Sequence, residues 1–152
     1  MRGFLVIFFV LVGILGLVMY FYKKSETKSQ NVTTPFFESH LTALQHHDYK
    51  QAYNAFSTEW QQQISFESYQ KQWGDKFNKN GDVVRWELHD VKEAGNIFDG
   101  STLYYCIVKI YFQHQKEPFW VNYQLETTDK TPLKIIHAGQ KSSDNFVAFE
   151  VW

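Results

Sequence analysis

The densest group of potential metal ligands in the sequence is His46-His47-Asp48. Neighbouring residues of a helix point about 100° apart, so two consecutive imidazoles cannot easily bind one ion. The alternative is structural. His46 and His47 would lie at the C-terminal end of a helix, which favours cations, and Asp48 would be the N-cap of a second helix. The other histidines lack the spacing of a metal motif, so we predict neither a metal site nor a cofactor.

Three polar residues fall on the apolar side of predicted strands in which apolar and polar residues alternate: Asp90, Tyr123 and His137. Their apolar neighbours are Val84, Trp86 and Leu88; Phe119, Val121 and Leu125; and Leu133 and Ile135, respectively. A carboxyl or imidazole group in an apolar pocket can be tuned for acid–base chemistry. The alternative is a solvent-facing Asp at a strand end, a structural His and a core Tyr with a hydrated hydroxyl. These three residues are possible pocket-lining residues, and we assign no catalytic residue.

Two tryptophans are candidates for partner binding. Trp120 is out of phase with the apolar face of its predicted strand, and Trp152 is the last residue of the sequence. Exposed aromatic side chains are typical of binding hot spots. The alternatives are that Trp120 packs under a loop, or that both rings lie at a membrane interface.

Composition excludes several classes of protein. A pI near 6.6 argues against a nucleic-acid binder, which needs a basic surface. An aromatic content of 18% argues against disorder. The one cysteine, Cys106, excludes an internal disulfide and a cysteine-rich zinc site. Because Cys106 lies on the apolar face of a predicted strand, we expect a small buried hydrophobic residue.

Residues 1–24 are predicted to form a membrane anchor. Gly3 to Tyr22 contains no charge, and a helix of that length spans about 30 Å, the thickness of a hydrocarbon core. The end of this run carries the aromatic and basic residues that are typical of a membrane interface: Tyr20, Tyr22, Lys23 and Lys24. A cleaved signal peptide is the alternative, but the apolar run is longer than its usual core and lacks small residues at its end.

Residues 25–35 are polar and without apolar periodicity, so we predict a linker ahead of one domain over 36–152. Pro35 suits the first turn of a helix. Apolar residues recur at helical spacing through three helical segments, with Asp48, Ser57 or Thr58, and Ser65 as N-caps. The buried stripes of these segments are Phe37, Leu41 and Leu44; Tyr49, Ala52, Tyr53 and Phe56; and Phe66, Tyr69, Trp73 and Phe77.

The pattern after Asn80-Gly81 changes to the period of two that is typical of half-buried strands. Five segments follow one another with short connections: 84–88, 103–112, 119–125, 133–138 and 145–152. Helices followed by consecutive strands predict an α+β domain in which helices cover one face of an antiparallel sheet.

The runs Asp48-Tyr49, Ala52-Tyr53 and Ser65-Phe66 at this spacing resemble the helical half of nuclear-transport-factor-2-like domains. The resemblance extends over roughly residues 36–152. It implies a strongly curved antiparallel sheet that wraps around three helices as a cone. Among members of the superfamily, the chain resembles small membrane-anchored bacterial proteins of unknown function.

We expect a membrane-anchored, non-enzymatic module for binding or assembly, as part of an envelope complex. Its expected partners are the lipid bilayer and either another protein or a second copy of the chain, with no nucleic acid. Because the fold that it resembles hosts many functions, the alternative is a small hydrophobic ligand binder, or an isomerase- or hydrolase-like enzyme that uses the cone pocket.

The charges that flank the apolar run and the family resemblance indicate opposite membrane orientations. Arg2 precedes the apolar run, whereas Lys23, Lys24 and Lys28 follow it. The positive-inside rule would therefore leave the domain in the cytoplasm. The resemblance instead implies a domain outside the cytoplasm, on the periplasmic or cell-surface side, and we favour this placement for a single-pass protein.

Overall fold

The structure is a computed structural model that describes residues 2–95, 100–128, 130–140 and 150–151, with the side chains of 12–20, 27–95, 100–128 and 130–140. The helices are α1 (Arg2–Gln45), α2 (Tyr49–Asn54), α3 (Thr58–Gln63) and α4 (Phe66–Asn80). The strands are β1 (Val83–Gly95), β2 (Thr102–Phe112), β3 (Phe119–Thr128), β4 (Thr131–Gln140) and β5 (Glu150–Val151). This order confirms the predicted α+β class.

Residues 25–35, predicted to be a linker, lie inside α1. The prediction was wrong because the side chains that pack there are hydroxyls, which an apolar pattern does not register. Ser29 and Thr33 are buried, and Thr33 Oγ1 donates to the Ser29 carbonyl at 2.9 Å. Ser29 Oγ in turn donates to Glu93 Oε2 of β1 at 2.7 Å. These residues extend, by two helical turns, the buried stripe formed by Phe37, Leu41 and Leu44.

Pro35 lies in the interior of α1 rather than at a helix start. Proline removes one N–H from the helical hydrogen-bond ladder, which makes an interior position unfavourable. Here the ring is exposed, on the face of α1 that does not contact the core. Burial of the neighbouring stripe, rather than local propensity, therefore maintains the helix through this position.

The N-caps predicted for the three later helices are confirmed by their hydrogen bonds. The side chain of Asp48 accepts from Gln51 N at 2.9 Å, Ser57 Oγ accepts from Trp60 N at 3.2 Å, and Ser65 Oγ accepts from Ser68 N at 3.2 Å. Each cap satisfies an N–H that has no partner within its own helix.

The sheet has the strand order β1-β2-β3-β4-β5, and its neighbours pair antiparallel. The predicted meander is therefore confirmed in the part of the chain that the structure describes. Of the fifth predicted strand, over 145–152, only Glu150–Val151 lies within that part, where it pairs with Gly139 and Gln140.

The two faces of the sheet have different environments. The inner face carries the alternate residues Tyr104, Cys106, Val108, Ile110 and Phe112 of β2, all buried. They join one core with the apolar residues of α1 to α4 and with Phe119, Val121, Tyr123 and Leu125 of β3. The outer face carries the intervening residues, such as Lys109 and Trp120, which pair across β2 and β3.

Shifts of register change which residues reach each face. In β1 they lie between Val83 and Arg85 and between Leu88 and Asp90. A shift between Gln124 and Leu125 of β3 leaves Ile136 of β4 without an opposite residue in β3. A bulge of this kind inverts the alternation beyond it. Val84, predicted on the apolar face, is therefore 57% exposed, whereas Val83 is buried.

Within the part of the chain whose side chains are described, we find no helix with an apolar stretch long enough to cross a bilayer.

Candidate functional site

The outer face of the sheet carries a continuous group of aromatic and charged side chains across three strands. Lys109 Nζ of β2 lies 3.7 Å from Glu87 Oε1 of β1 and 4.7 Å from the ring centroid of Trp120 in β3. His89 packs edge-on against Trp120, with 5.1 Å between ring centroids. A lysine that is shared between a carboxylate and an indole holds both neighbouring strands in register.

The same group continues toward the start of β1. The guanidinium carbon of Arg85 lies 3.8 Å from the ring centroid of Tyr111, and Tyr111 OH donates to Glu87 Oε2 at 3.2 Å. We call these six residues the outer ladder: Arg85, Glu87, His89, Lys109, Tyr111 and Trp120. Its arginine, tyrosine and tryptophan are the side-chain types enriched in binding hot spots.

The predicted partner-binding tryptophans have different outcomes. Trp120 lies on the outer face as its phase predicts, but it is half-buried beneath Lys109 and His89 rather than exposed as a bare patch. Trp152 lies outside the described residues. Of the predicted membrane-anchor residues, Tyr20 is 62% exposed. The side chains of Tyr22, Lys23 and Lys24 lie outside those that the structure describes.

Asp90 does not face the interior. The register shift in β1 leaves His89 unpaired and sets Asp90 opposite Ile107, on the outer face. There, the Asp90 carboxylate lies 3.8 Å from Lys92 Nζ in a largely solvated ion pair. The bulge thus separates Asp90 from the apolar residues with which the sequence pattern groups it.

His137 is moved to the outer face in the same way. The register shift opposite Ile136 pairs His137 with Gln124, while Ile135 remains in the core opposite Leu125. Burial against the sheet lowers the pKa of His137 below its usual value.

Tyr123 is the one predicted pocket residue that lies inside. Its ring lies 5.1 Å from Phe37 and 5.7 Å from His40, between centroids, and burial raises its pKa well above the usual range. Because Asp90 and His137 lie on the opposite face of the sheet, the three residues do not form one pocket.

The interior cavity that contacts Tyr123 is small. Its volume is about 30 Å³, and it is lined by residues of α3, α4, β3 and β4 that include Trp60, Tyr69, Trp73 and Lys76. Trp60 Nε1 and Tyr69 OH are buried, and neither makes a well-formed hydrogen bond with the described residues. The volume suits about one water molecule, which could pair with these groups.

Lys76 lies at the edge of this cavity. Its Nζ is 5.9 Å from the ring centroid of Trp73 and 5.4 Å from that of Phe119. Partial burial lowers the pKa of Lys76 to about 8, and the neighbouring carboxylate of Asp75 offsets only part of that effect.

The larger cavities are polar clefts at opposite ends of the sheet. One, of about 610 Å³, lies between the start of α3 and the β3–β4 turn, where Lys134 Nζ donates to the Asn54 carbonyl at 2.7 Å. The other, of about 400 Å³, lies beside Lys79, Gln115 and Gln140. Both lie outside the helix-covered core.

His40 is an interior group that the sequence pattern did not identify. It is 2% exposed, and its ring lies 5.7 to 6.3 Å from those of Phe36, Phe56 and Tyr123. Neither ring nitrogen has a well-formed hydrogen bond with the described residues. Burial lowers the pKa of His40 to about 4, against a weaker opposing effect of the Ala52 backbone. The sequence did contain a signal for this burial, because His40 lies at helical spacing with the stripe of Phe37 and Leu41.

His47 occupies a left-handed conformation, with φ of 57°, at the end of α1. This conformation is rare for a residue other than glycine or asparagine. Its Nδ1 is 3.0 Å from Tyr49 OH, its Nε2 is 3.0 Å from Asp82 Oδ1, and its ring packs on Phe77 at 4.4 Å. These contacts join α1, α2 and α4 and explain the residue as a structural one. Asp82 is too distant in sequence for the pairing to be predicted.

Cys106 is buried and free, as predicted, and burial raises its pKa to about 12. Among the residues that the structure describes, no group of three or more His, Cys, Asp or Glu side chains could hold a metal ion.

Comparisons with known proteins leave the family open. No family model and no curated protein matches the chain. Among solved structures, the chain is similar to Bd1075 from Bdellovibrio bacteriovorus, with a TM-score of 0.48 and 12% identity. The similarity covers 73% of this chain and 40% of that protein, so the chain spans less than half the length of this neighbour.

Proposed function

We propose that the chain is a membrane-anchored, non-enzymatic module that binds a protein partner through the outer ladder, as part of an envelope complex. The observation that carries this proposal is the pattern of exposure along α1. All residues from 12 to 20 are exposed, and seven of them are large hydrophobics: Val12, Ile14, Leu15, Leu17, Val18, Met19 and Tyr20. The same helix then enters the core of the domain.

An isolated helix with apolar side chains on every side is unfavourable in water. Leaving one large apolar side chain exposed to water costs about 1.5–3 kcal/mol relative to burying it. An amphipathic helix could bury one stripe against a protein, but residues 12 to 20 offer no polar face for water. A lipid bilayer covers all sides at once, and the sequence supplies a charge-free run from Gly3 to Tyr22.

The interior of the domain supports a binding module rather than an enzyme. Sites for small ligands usually measure about 300–1,000 Å³. The cavity beside Tyr123 measures about 30 Å³ and is enclosed largely by aromatic rings. The candidate acid and imidazole, Asp90 and His137, lie across the sheet from it. The interior cavity therefore leaves little room for the ligand-binding or isomerase-like alternative, which would use a pocket inside the cone.

The outer ladder supports the choice of binding surface. It combines three aromatic or guanidinium side chains with one glutamate, one lysine and one histidine, so both signs of charge lie side by side. Such a surface can bind a partner of matching charge pattern, including a second copy of this chain in a two-fold arrangement.

We also propose that the domain belongs with nuclear-transport-factor-2-like folds and lies outside the cytoplasm. The order of helices α1 to α4 followed by an antiparallel meander supports the fold. Alkaline phosphatase fused to the C-terminus should be active in cells if the placement is correct. A fluorescent protein at that position that fluoresces, with an inactive phosphatase, would reverse it.

The anchor is tested by alkaline carbonate extraction of membranes that contain the full chain. We expect the chain to remain in the membrane pellet together with a known single-pass protein. Its release to the supernatant, with peripheral proteins, would contradict the anchor.

The binding surface is tested by photo-crosslinking in intact membranes. A photoreactive residue at His89, beside Trp120, should give a discrete adduct, and Trp120→Ala in the same chain should abolish it. A photoreactive residue at Lys71, on an exposed part of α4, is the matched control and should give none. Adducts that persist in Trp120→Ala would show that the outer ladder does not form the contact.

A further inference from the structure

We propose that one end of the sheet rests on the lipid headgroups, so that the strands stand upright on the bilayer. This inference rests on the proposed membrane anchor. We call this end the basal edge and define it by Gly95, Thr102, Thr127, Thr128, Lys130 and Thr131. The basal edge contacts the headgroup layer of the membrane in which α1 is anchored.

The packing of α1 on β1 sets the direction of the sheet. Near its middle, α1 contacts the late part of β1 through the hydrogen bond from Ser29 to Glu93. Near its end, α1 contacts the first residue of β1 through Gln45 Nε2, which is 3.3 Å from the Val83 carbonyl. Helix and strand therefore run in opposite directions, and moving along α1 toward the anchor means moving along β1 toward Gly95.

The height of the basal edge follows from the rise of each element. The helix rises about 10 Å from Tyr22, the end of the apolar run, to Ser29. The strand then descends about 7 Å from Glu93 to Gly95. Gly95 thus lies about 4 Å above the hydrocarbon boundary if the elements are upright, within a headgroup layer that is about 5–8 Å thick.

The register of the sheet extends this height across the neighbouring strands. Gly95 pairs with Thr102, and Thr102 pairs with Thr127, so the three residues form one row. Thr128 and Thr131 pair one step beyond this row and close the β3–β4 turn. The turn therefore reaches the same depth as Gly95 or further.

The chemistry of this turn suits a headgroup layer. Thr128 Oγ1 accepts hydrogen bonds from the Thr131 and Lys130 amides at 3.1 and 3.2 Å, and Thr127 Oγ1 donates to the Thr131 carbonyl at 2.9 Å. The turn is thus ordered by its own hydroxyls. Lys130 is exposed beside it, as is Lys28 on α1, and both can reach lipid phosphates.

The opposite end of the sheet provides a matched reference position. Lys116 is an exposed lysine in the β2–β3 turn. It lies beyond the far end of β2, which is about 33 Å long. A basal edge on the membrane therefore predicts that Lys116 lies far from the headgroups.

The test places a fluorophore on the full chain at Lys130→Cys, Lys116→Cys or Val18→Cys, in separate samples. Cys106 is buried and does not compete for the label. Each sample is reconstituted in vesicles of phosphatidylcholine and phosphatidylglycerol that carry a spin-label quencher on the headgroup or within the acyl chain.

We expect the headgroup quencher to reduce the fluorescence of the Lys130→Cys probe several-fold more than that of the Lys116→Cys probe. Equal quenching at both positions, or stronger quenching at position 116, would overturn the basal edge. The Val18→Cys probe reports on the anchor alone and should be quenched by the acyl-chain label. If it is not quenched, the proposed anchor fails and this inference with it.

Discussion

The two parts of α1 differ in environment although they belong to one helix. From Val12 to Tyr20, apolar side chains are exposed around the whole circumference. From Ser29 to Leu44, one stripe is buried against the domain, and most of the other residues are polar and at least partly exposed. The first part has the distribution that lipid requires, and the second has the distribution that a protein core requires. Exposure around the helix, rather than hydropathy alone, therefore distinguishes a helix suited to lipid from a helix of a protein core.

The largest expected effect concerns the first part of α1. Leu15→Asp combined with Leu17→Asp should cost about 6 kcal/mol of insertion free energy, because each change places a charge in the apolar core of the bilayer. We expect the variant to leave the membrane fraction in a flotation gradient.

Val32→Asp is the matched control, because Val32 is exposed on the second part of the same helix. It should float with the wild type. A double aspartate variant that still floats would show that the first part of α1 is not in lipid.

The next largest effect concerns the second part. Phe37 is fully buried against Tyr123, so Phe37→Ala should lower the free energy of unfolding by about 3–5 kcal/mol. Urea unfolding of the detergent-solubilised chain measures this change. Val32→Ala, on the exposed side, should change it by less than about 0.5 kcal/mol. Similar values for both variants would contradict the packing of α1 in the core.

His40 makes the stability of the second part depend on pH. Burial holds its folded-state pKa at about 4, below the unfolded value of 6.5. The unfolded chain therefore binds the proton more readily, and stability that is present above pH 6.5 is lost as the pH falls toward 4. The loss from this group amounts to about 3 kcal/mol.

His40→Phe removes that titration while it retains a ring of similar size. We therefore expect the wild type to lose about 3 kcal/mol more than the variant between pH 7 and pH 4. Urea unfolding at a series of pH values gives the difference, in which the carboxyl groups common to both chains cancel. Parallel pH profiles would contradict a buried neutral His40.

The smallest effect concerns the extension of the buried stripe into the predicted linker. Ser29→Ala should cost about 1–2 kcal/mol, because it removes a part-buried hydrogen bond to the carboxylate of Glu93. A double-mutant cycle with Glu93→Gln separates this bond from other effects. A coupling energy near zero would show that the two side chains do not interact in solution.

Local signals predicted much of the fold. The caps at Asp48, Ser57 and Ser65 and the alternation of β2 and β3 depend on neighbouring residues, and the structure shows each of them. The helical state of residues 25–35 depends on packing against β1, which no local pattern contains.

The candidate site was harder to predict because bulges are not visible in an alternating pattern. Asp90 and His137 follow the apolar phase in the sequence, but each lies beyond a register shift that turns it to the outer face. Trp120 lies in a strand paired without a shift to β2, so its phase correctly placed it outside. The contact of His47 with Asp82 joins residues far apart in the chain and had no local signal.

We propose that one uninterrupted helix runs from the bilayer into the domain. Spin labels at Val18 and Val32, both exposed on α1, test it in the full chain in lipid nanodiscs. A continuous helix predicts one narrow distance distribution, with the two backbone positions about 21 Å apart. A broad distribution, as a flexible linker over residues 25–35 would give, or failure of the chain to enter nanodiscs, would contradict the claim.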